Sequence, residues 1–489
     1  MSNLPHALYR AAQVRKLDQI AIVEHGIPGI TLMEHAGAAA WQALRAVWPA
    51  ARRVTVVCGS GNNAGDGYVL ARLARAQDCT VLVMLLANPA QLTGDAATAA
   101  QELPATGIAC ESFSPQRLAD SDVIVDALLG TGLDRPISGA YLDAIQALNQ
   151  SRRDILSLDI PSGLHPDSGQ VMGAAVKAHT TVTFIGLKAG MFTGSGPEYS
   201  GQVIFSDLDV PADIYTGIKP CASRIQSAEL ARRARDAHKG DFGHVLVIGG
   251  DYGYAGAVRM AGEGAARAGA GLVSIATRRE HALAIPAAVP ELMAWGVDVA
   301  RDLDTMLERA TVIAIGPGLG QSAWGLGLLG KVLECRQPVV ADADALNLLA
   351  REPLHSDNWV LTPHPGEAAR LLDSTTRAVQ DDRYGAAAEL RRRYGGVIVL
   401  KGCGTIIADE AGELAVCAAG NPGMAAGGMG DVLTGVIAGL LAQGLGKGAA
   451  ARTGVYLHAR AGDAAAAAGG ERGLRASDLM PWIQRFANP

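Results

Sequence analysis

The sequence predicts an α/β protein made of two domains in tandem. Short runs rich in Val and Ile recur along the chain, and each is followed by glycines and then by an Ala-rich segment with helical spacing. This alternation is typical of βαβ units, in which helices join buried parallel strands. The length of 489 residues, of which 49% are hydrophobic and 18% charged, suits two or three globular domains.

The apolar runs identify the expected strands in order. In the first half they are residues 54–58, 81–86, 123–128 and 155–160. In the second half they are residues 244–248, 272–276, 312–315, 338–341, 359–361 and 397–400. The alternation stops between residues 208 and 227, where prolines interrupt any helical spacing. We therefore expect a boundary near residue 220, with domains at 1–218 and 224–489.

Charge and composition exclude several classes of protein. The chain has 42 Lys and Arg against 48 Asp and Glu, a net charge of −6, and no long basic block. Nothing in this charge pattern indicates binding to nucleic acid. The longest apolar stretch, residues 432–445, is too short to span a membrane. Residues 1–20 lack the apolar core of a signal peptide, and the seven scattered cysteines form no Cys-x-x-Cys pair. We expect a soluble, cytoplasmic protein.

Three polar loops follow strands of the first domain. They are Gly-Ser-Gly-Asn-Asn-Ala-Gly-Asp-Gly at 59–67, Asp-Ala-Leu-Leu-Gly-Thr-Gly-Leu-Asp-Arg-Pro at 126–136 and Asp-Ile-Pro-Ser-Gly at 159–163. Taken singly, each aspartate could cap a helix or shape a turn, and the first loop could be a tight turn without a ligand. Because the carboxyl ends of parallel strands meet at one edge of a sheet, the three loops together predict a single ligand crevice.

These three loops, in this order, resemble the NAD(P)H-hydrate epimerase family, whose fold is Rossmann-like with three layers. The resemblance implies a K⁺ ion held by Asn63, Asp126 and Ser162, whose oxygen atoms suit such a hard cation. It also implies a substrate-binding surface made of Asn62, Asn63, Ala64, Gly65, Asp66, Gly130, Thr131, Gly132, Leu133, Asp134, Arg135, Pro136 and Asp159. Asp159 is the expected catalytic acid/base, with anchoring of the ribose as its other possible role.

One position departs from the pattern of that family, which usually has Gly where this chain has Ala64. If the position requires a positive φ, the methyl group costs about 1 kcal/mol. We expect the substitution to be tolerated.

The second domain carries a glycine-rich turn before an apolar helix. Asn-Pro-Gly-Met-Ala-Ala-Gly-Gly-Met-Gly-Asp at 421–431 precedes a helix expected at 432–443. Backbone N–H groups of such a turn can stabilise the charge that develops on phosphoryl oxygens, while Asp431 accepts a proton from the attacking hydroxyl. Capping of the helix would explain Asp431 locally, but it leaves the glycines that precede the residue unexplained.

This turn resembles the anion hole of ribokinase-like enzymes, and five further stretches narrow the match. They lie at 249–257, 316–320, 342–347, 362–367 and 401–405, and together they resemble the ADP-dependent NAD(P)H-hydrate dehydratase. The implied contacts with the hydrated nicotinamide nucleotide are Ala257, Gly318, His364 and the catalytic Asp431. The implied contacts with ADP are Lys401, Gly402, Cys403, Gly404, Thr405 and Gly430, where Lys401 would be a point charge for phosphate and Cys403 a small filler.

The two resemblances imply one repair pathway for hydrated cofactors. In NADHX and NADPHX, water has added across a ring double bond at C6. The second domain would dehydrate the S epimer with ADP as co-substrate and Mg²⁺ on the nucleotide, releasing AMP and phosphate. The first domain would interconvert the R and S epimers. We expect these small molecules as the partners, with no nucleic acid and no membrane, and a homo-oligomeric state.

Two alternatives stay open from the sequence. The second domain could be a ribokinase-like kinase of a small alcohol, which would share Asp431 and Lys401. The Pro-His-Pro-Gly-Glu stretch at 363–367 and the attached first domain argue against that reading. The first domain could instead be a binding module without catalysis, since fold alone does not imply function.

Overall fold

The computed structural model describes residues 4–227 and 230–488. The first three residues of the segment tested for a signal peptide therefore lie outside the described part, as does the last residue of the predicted second domain. The chain divides into two compact units, Met1–Arg224 and Ile225–Pro489. Within the described ranges, no helix combines the length and the apolar character needed to cross a membrane.

The first unit is built on a parallel sheet of seven strands. In chain order they are β2 (Arg53–Cys58), β3 (Thr80–Leu85), β4 (Ala109–Ser112), β5 (Val123–Ala127), β6 (Asp154–Leu158), β7 (Thr180–Phe184) and β9 (Gln202–Ser206). Their order in space is β4-β3-β2-β5-β6-β7-β9, and every neighbouring pair is parallel. The chain runs outward from β2 through β4 and then returns to β5, so the topological switch lies between β2 and β5. Ligands of open α/β sheets bind at such a switch.

Helices cover both faces of this sheet. The helices of the unit are α1 (Ala11–Val23), α2 (Gly29–Val47), α3 (Asn62–Ala76), α4 (Gly94–Gln101), α5 (Gly139–Gln150) and α6 (Gly196–Ser200). Alternate residues of β2 enter two separate cores: Val56 packs with α1–α4 on one face, and Val57 packs with α5 on the other. Three short strands, β1 (Ala7–Tyr9), β8 (Leu187–Lys188) and β10 (Ala222–Arg224), pair in the order β10-β1-β8.

The second unit contains a larger mixed sheet. Its strands are β11 (His244–Ile248), β12 (Leu272–Thr277), β13 (Met293–Gly296), β14 (Val312–Ile315), β15 (Val339–Ala341), β16 (Trp359–Leu361), β17 (Val397–Leu400), β18 (Thr405–Ala408) and β19 (Leu414–Cys417). They lie in the order β13-β12-β11-β14-β15-β16-β17-β18-β19, parallel from β13 to β17 and antiparallel beyond. The predicted fold class, two α/β domains, is confirmed. The second sheet is mixed and not wholly parallel, because β18 and β19 join it in antiparallel pairs.

Eleven helices flank this sheet within the described ranges. They are α7 (Ala255–Ala268), α8 (Ala284–Ala288), α9 (Asp304–Arg309), α10 (Ala323–Leu333), α11 (Ala343–Arg351), α12 (Pro365–Leu372), α13 (Thr376–Asp381), α14 (Arg383–Tyr394), α15 (Met429–Ala442), α16 (Lys447–Gly469) and α17 (Met480–Phe486). One core joins β11 and β14 to α7, α15, α16 and α17. Within it, α15 packs closely on α7, which fixes the N-terminus of α15 relative to the sheet.

Two helices begin earlier than the sequence predicts. The residues from Asn62 to Asp66, expected in a loop, form the first turn and a half of α3, and α15 begins at Met429 rather than at residue 432. The glycines of α3 are needed for packing: a Cβ at Gly67 would lie 2.7 Å from the Cβ of Ala127 and 3.0 Å from Val56. Gly67 therefore allows α3 to pack closely on the sheet, whereas the sequence pattern predicts a loop at this position.

Candidate functional site

The first candidate site lies at the carboxyl ends of β2, β5 and β6, at the topological switch of the first unit. Asp126 is the fourth residue of β5 and is fully buried. Its carboxylate accepts hydrogen bonds from the Ser162 hydroxyl (2.6 Å), the Ser162 backbone N–H (2.9 Å) and the Ser157 hydroxyl (2.8 Å). Burial raises the pKa of Asp126, although these hydrogen bonds oppose the shift. The network fixes the loop after β6 against β5.

Asn63 and Ser162 meet at the same point through Leu129. Asn63 is 6% exposed, and its amide donates to the Leu129 carbonyl at 3.2 Å, while the Leu129 N–H donates to Ser162 Oγ at 2.8 Å. Asn63 Oδ1 is buried and has no hydrogen-bond partner among the residues that the structure describes. An unsatisfied buried acceptor is costly, so the carbonyl oxygen of Asn63 could serve as a ligand of a hard cation, as the carboxylate of Asp126 and the hydroxyl of Ser162 could. These are the three residues predicted to hold K⁺.

Asp159 follows β6 in a strained conformation. Its φ is +65°, and its backbone N–H donates to the Val182 carbonyl at 2.6 Å. Its Oδ1 pairs with the ammonium group of the fully buried Lys188. Its Oδ2 lies 3.8 Å from the position that a Cβ at Gly130 would take, and that position is 3.6 Å from the Cβ of Asn63. The structure thus brings Asp159, Gly130 and Asn63 together.

The remaining residues predicted to bind the substrate surround this point. Ala64 and Gly65 are buried in α3, and Asn62 is exposed at its start. Ala64 is absent from the positive-φ residues, so its methyl group brings no backbone strain. Thr131, Gly132, Leu133, Asp134, Arg135 and Pro136 lie between β5 and α5 and are half-buried or exposed. This segment is accessible to a ligand.

Sequence reasoning missed two charged residues of this site. Lys188 lies on β8, and Asp18 lies on α1, 141 residues before Asp159 in the chain. Burial raises the pKa of Asp18 to about 6, with Lys188 opposing the shift and Asp159 adding to it. Burial, together with Asp159 and Asp18, also raises the pKa of Asp66 well above its ordinary value. No motif marks Asp18 or Lys188, because only the fold brings them to the strand ends.

The second candidate site lies where consecutive strand ends face the N-terminus of α15. The five motif stretches of the second domain follow β11, β14, β15, β16 and β17, which are all parallel. Their carboxyl ends therefore share one edge, as the strand pattern predicts.

A buried ion pair forms the centre of this edge. Lys401 Nζ lies 2.5 Å from Asp342 Oδ1 and 3.8 Å from Glu367 Oε2, and the Thr434 hydroxyl donates to Asp342 Oδ2 at 2.9 Å. Burial opposes the charge on Lys401, but Asp342 and Glu367 outweigh it and raise the lysine pKa. Burial raises the pKa of Glu367 to about 7, against the effect of Lys401. The charge of Lys401 is therefore already balanced by protein carboxylates.

Asp431 is the third residue of α15, beside this ion pair. Gly428 precedes the helix at φ +89°, and a Cβ at Gly430 would lie 3.3 Å from Lys401 Nζ and 3.4 Å from Asp342 Oδ2. Burial first, and then Asp342, raise the pKa of Asp431 to about 6. The first turn of α15 therefore combines two features. Its backbone N–H groups are free of intrahelical bonds, and its Asp431 carboxyl group has a pKa of about 6.

His364 has a structural contact in addition to its predicted contact with substrate. It is the N-cap of α12, where its Nδ1 accepts the N–H groups of Gly366 (2.9 Å) and Glu367 (3.4 Å). Burial, and then the charge of Lys401, lower the pKa of His364, which keeps the ring neutral. About half of the side chain is exposed, so one face can still meet a ligand.

Ala257 and Gly318 lie next to each other on neighbouring loops. A Cβ at Gly318 would lie 3.3 Å from the Cβ of Ala257 and 2.5 Å from that of Tyr254. The Asp251 N–H donates to the Gly318 carbonyl at 2.6 Å, which ties the loop after β11 to the loop after β14. These two predicted contacts with the nicotinamide nucleotide therefore lie at the topological switch of this sheet, between β11 and β14.

A buried arginine supports the predicted nucleotide loop, residues Lys401, Gly402, Cys403, Gly404 and Thr405. Arg383, at the start of α14, is fully buried and donates to the carbonyls of Leu400 (3.3 Å), Lys401 (3.2 Å) and Gly404 (3.3 Å). Burial lowers its pKa to about 10, which leaves it charged. No sequence motif marks this role, because Arg383 lies in an ordinary helical pattern.

The glycine-rich turn before α15 is held by α16. Asp463 accepts the N–H of Gly420 at 3.1 Å and the side-chain amide of Asn421 at 3.0 Å. These bonds tie the start of the turn, at Gly420 and Asn421, to α16.

Two family models match this chain. The family model described as NAD(P)H-hydrate dehydratase matches residues 245–485, and the model described as YjeF-related protein N-terminus matches residues 29–190. The bifunctional NAD(P)H-hydrate repair enzyme of Coxiella burnetii is 50% identical over 99% of both chains. That of Escherichia coli is 43% identical over 100% of this chain and 95% of its own.

A solved structure is also similar to part of this chain. The ADP/ATP-dependent NAD(P)H-hydrate dehydratase of Bacillus subtilis, crystallised with ATP and Mg²⁺, is 33% identical over 53% of this chain and 93% of its own, with a TM-score of 0.49. The full-length identities to the curated relatives decide the assignment: this chain belongs to the family of bifunctional NAD(P)H-hydrate repair enzymes.

Proposed function

We propose that this chain restores hydrated NADH and NADPH in two steps, at the two strand-end sites described above. The first unit would interconvert the R and S epimers of NAD(P)HX, and the second would dehydrate the S epimer at the expense of ADP or ATP. The observation that supports this most is the position of Asp431, whose carboxylate stands at the glycine-rich start of α15 with a pKa of about 6.

In the dehydration step, Asp431 would accept the proton of the C6 hydroxyl as that oxygen attacks the terminal phosphoryl group of the nucleotide. The backbone N–H groups at the start of α15 would stabilise the charge that develops on the phosphoryl oxygens. With ADP, the P–O bond to AMP breaks, and the phosphate ester at C6 then leaves as inorganic phosphate. The ring double bond reforms as a proton is lost, which gives NAD(P)H, AMP and phosphate.

The use of ADP in preference to ATP, and the binding of Mg²⁺, are parts of this proposal. The described residues contain no group of three or more His, Cys, Asp or Glu side chains that could hold a metal ion. Mg²⁺ in such sites keeps several waters and is bound through phosphates and one or two carboxylates. The nucleotide would therefore supply most of its ligands, and bound Mg²⁺ would neutralise phosphate charge. Lys401, although paired with Asp342, would add positive potential to the nucleotide loop.

In the epimerisation step, Asp159 would take the proton of the C6 hydroxyl as the bond between C6 and N1 opens, with the electron pair passing to N1. Closure on the opposite face of the C6 carbonyl, with the proton returned to oxygen, would give the other epimer. K⁺ would be held by Asn63, Asp126 and Ser162. The buried, unpartnered Oδ1 of Asn63 would be one of its oxygen ligands. The ion would supply a positive charge near the strand ends that helps to anchor the nucleotide.

Recovery of reduced-nicotinamide absorbance from mixed R and S NADHX tests the proposal. With ADP, Mg²⁺ and K⁺ present, we expect both epimers to be restored. Recovery of the S epimer alone would leave the dehydratase and reduce the first unit to a binding module. No recovery with either ADP or ATP would overturn the proposed function.

A further inference from the structure

Lys188 carries a buried positive charge next to Asp159 and has no role in the epimerisation step proposed above. Its side chain is fully buried, and its ammonium group contacts Asp159 Oδ1, Thr183 Oγ1 (2.9 Å) and the Phe184 carbonyl (3.0 Å). An ammonium group has three N–H donors, and here each has one acceptor. A buried charge is costly unless it is paired and hydrogen-bonded in this way. The position of the ammonium group is therefore fixed from three directions.

The two oxygens of Asp159 have different surroundings. Oδ1 contacts Lys188 and also accepts the Phe184 N–H at 3.5 Å, whereas Oδ2 faces the Gly130 turn, 3.8 Å from the place of a Cβ at that residue. The backbone of Asp159 is held in the left-handed region by its hydrogen bond to Val182. Strain of this kind persists only where the surrounding structure fixes it, and it is concentrated at functional sites.

We infer that Lys188 is the positioning residue of the epimerase site: it binds Oδ1 of Asp159 and leaves Oδ2 directed towards the substrate. This inference rests on the proposed role of Asp159 as the acid/base. A carboxylate free to rotate would present either oxygen at variable angles, whereas one oxygen bound to a fixed ammonium group leaves the other in a single orientation.

Two further carboxyl groups interact with the ion pair between Lys188 and Asp159. Asp66 on α3 and Asp18 on α1 both interact with Asp159 and with Lys188, and Arg15 on α1 interacts with Asp18. Without Lys188, the Asp159 carboxylate would face two further acidic groups with less compensation. Asp66 and Asp18 would also lose the positive charge of Lys188, which lowers the pKa of both carboxyl groups.

Replacement of Lys188 by neutral and charged residues tests the inference in the full-length protein. Epimerisation is followed by separating R and S NADHX, with kcat and KM measured across pH for Lys188→Met, Lys188→Gln and Lys188→Arg. Dehydration of pure S epimer by the same chains is the internal reference. Lys177→Met is the matched control, because Lys177 is exposed and pairs with Glu198 at 3.1 Å on the surface.

We expect the neutral variants to lose at least tenfold in epimerisation kcat, with KM changed less than threefold and dehydration unchanged. The acidic limb of their pH–rate profile should shift to higher pH, by about one pH unit or more. Lys188→Arg should leave that limb in place, because it keeps the positive charge. Lys177→Met should behave as the wild type does.

Three results would overturn the inference. One is a folded neutral variant with kcat within threefold of the wild type, and another is a folded neutral variant whose pH limb does not move. The third is failure of both neutral variants to fold, which would make the lysine purely structural. Asp159→Asn separates this outcome from the proposed function: if that variant still epimerises, the role of Asp159 itself is wrong.

Discussion

At the scale of single residues, the proposed dehydration depends on one carboxyl group whose pKa is raised by its surroundings. Asp431 has its pKa raised to about 6 by burial and by Asp342. A base must be ionised to accept a proton, so the rate should be low below pH 6 and reach a plateau above it. We therefore expect kcat/KM for the S epimer to have an acidic limb near pH 6. A limb near pH 4, the value of an ordinary aspartate, would contradict this assignment.

The Asn63 amide gives a second prediction at this scale. Within residues 4–227 and 230–488, its Oδ1 has no hydrogen-bond partner, and we propose that K⁺ contacts this oxygen. Replacing K⁺ by tetramethylammonium should slow epimerisation at least tenfold, while Asn63→Ala should slow it in K⁺ and remove the difference between the two salts. Dehydration of the S epimer provides the reference in each salt. Equal epimerisation rates of the wild type in both salts would exclude the ion site.

Which of these residues a sequence can predict depends on whether they lie in a motif. Asp126, Asp159 and Asp431 follow strands or begin a helix, and the parallel-sheet rule places such residues at one edge. Lys188 and Arg383 lie in no motif, and the contacts that make them important join separate segments of the chain. Their roles depend on tertiary packing that local periodicity does not encode.

At the scale of elements, the position of Asp431 depends on how closely α15 packs on α7. A Cβ at Gly435 would lie 1.8 Å from the carbonyl oxygen of Ala261, so any side chain there must push the helices apart. We expect Gly435→Ala to lower the free energy of unfolding by about 1–3 kcal/mol and the melting temperature by roughly 5 °C. The rate of dehydration should also fall. Gly469→Ala is the matched control, because its Cβ would have no neighbour within 4 Å. Calorimetry that gives equal melting temperatures for the two variants would refute this packing argument.

The nucleotide loop depends in the same way on α14. Arg383→Met would remove the hydrogen bonds that the guanidinium group donates to the carbonyls of Leu400, Lys401 and Gly404, each worth about 1.5–3 kcal/mol for a charged donor. We expect KM for ADP to rise about tenfold, with a smaller change in KM for the S epimer. Arg377→Met, at an exposed arginine of α13, should leave both constants unchanged. An unaltered KM for ADP in Arg383→Met would show that the loop is held by other contacts.

The fold itself was predictable at this scale, and the beginnings of two helices were not. Apolar runs separated by helical spacing located all ten expected strands to within two residues at each end. The start of α3 at Asn62 was missed because glycines there serve helix–sheet packing, whereas their local preference is for turns.

At the scale of the whole molecule, the central claim is that one chain carries two consecutive activities at two separate sites. Hydration of the ring at C6 can give two epimers. A chiral dehydratase site would accept one of them, and an attached epimerase would make the other usable. The two sites share no residue, since one is built from Asn63, Asp126 and Asp159 and the other from Lys401 and Asp431. Each activity should therefore be removable without loss of the other.

The most direct measurement starts from pure R NADHX with ADP, Mg²⁺ and K⁺. We predict that the wild-type chain converts it to NADH with release of one AMP per NADH formed. Asp159→Asn should restore pure S epimer and leave the R epimer behind, whereas Asp431→Asn should convert R into S without forming NADH. Conversion of the R epimer by Asp159→Asn at the wild-type rate, or loss of both activities in Asp431→Asn, would contradict the account.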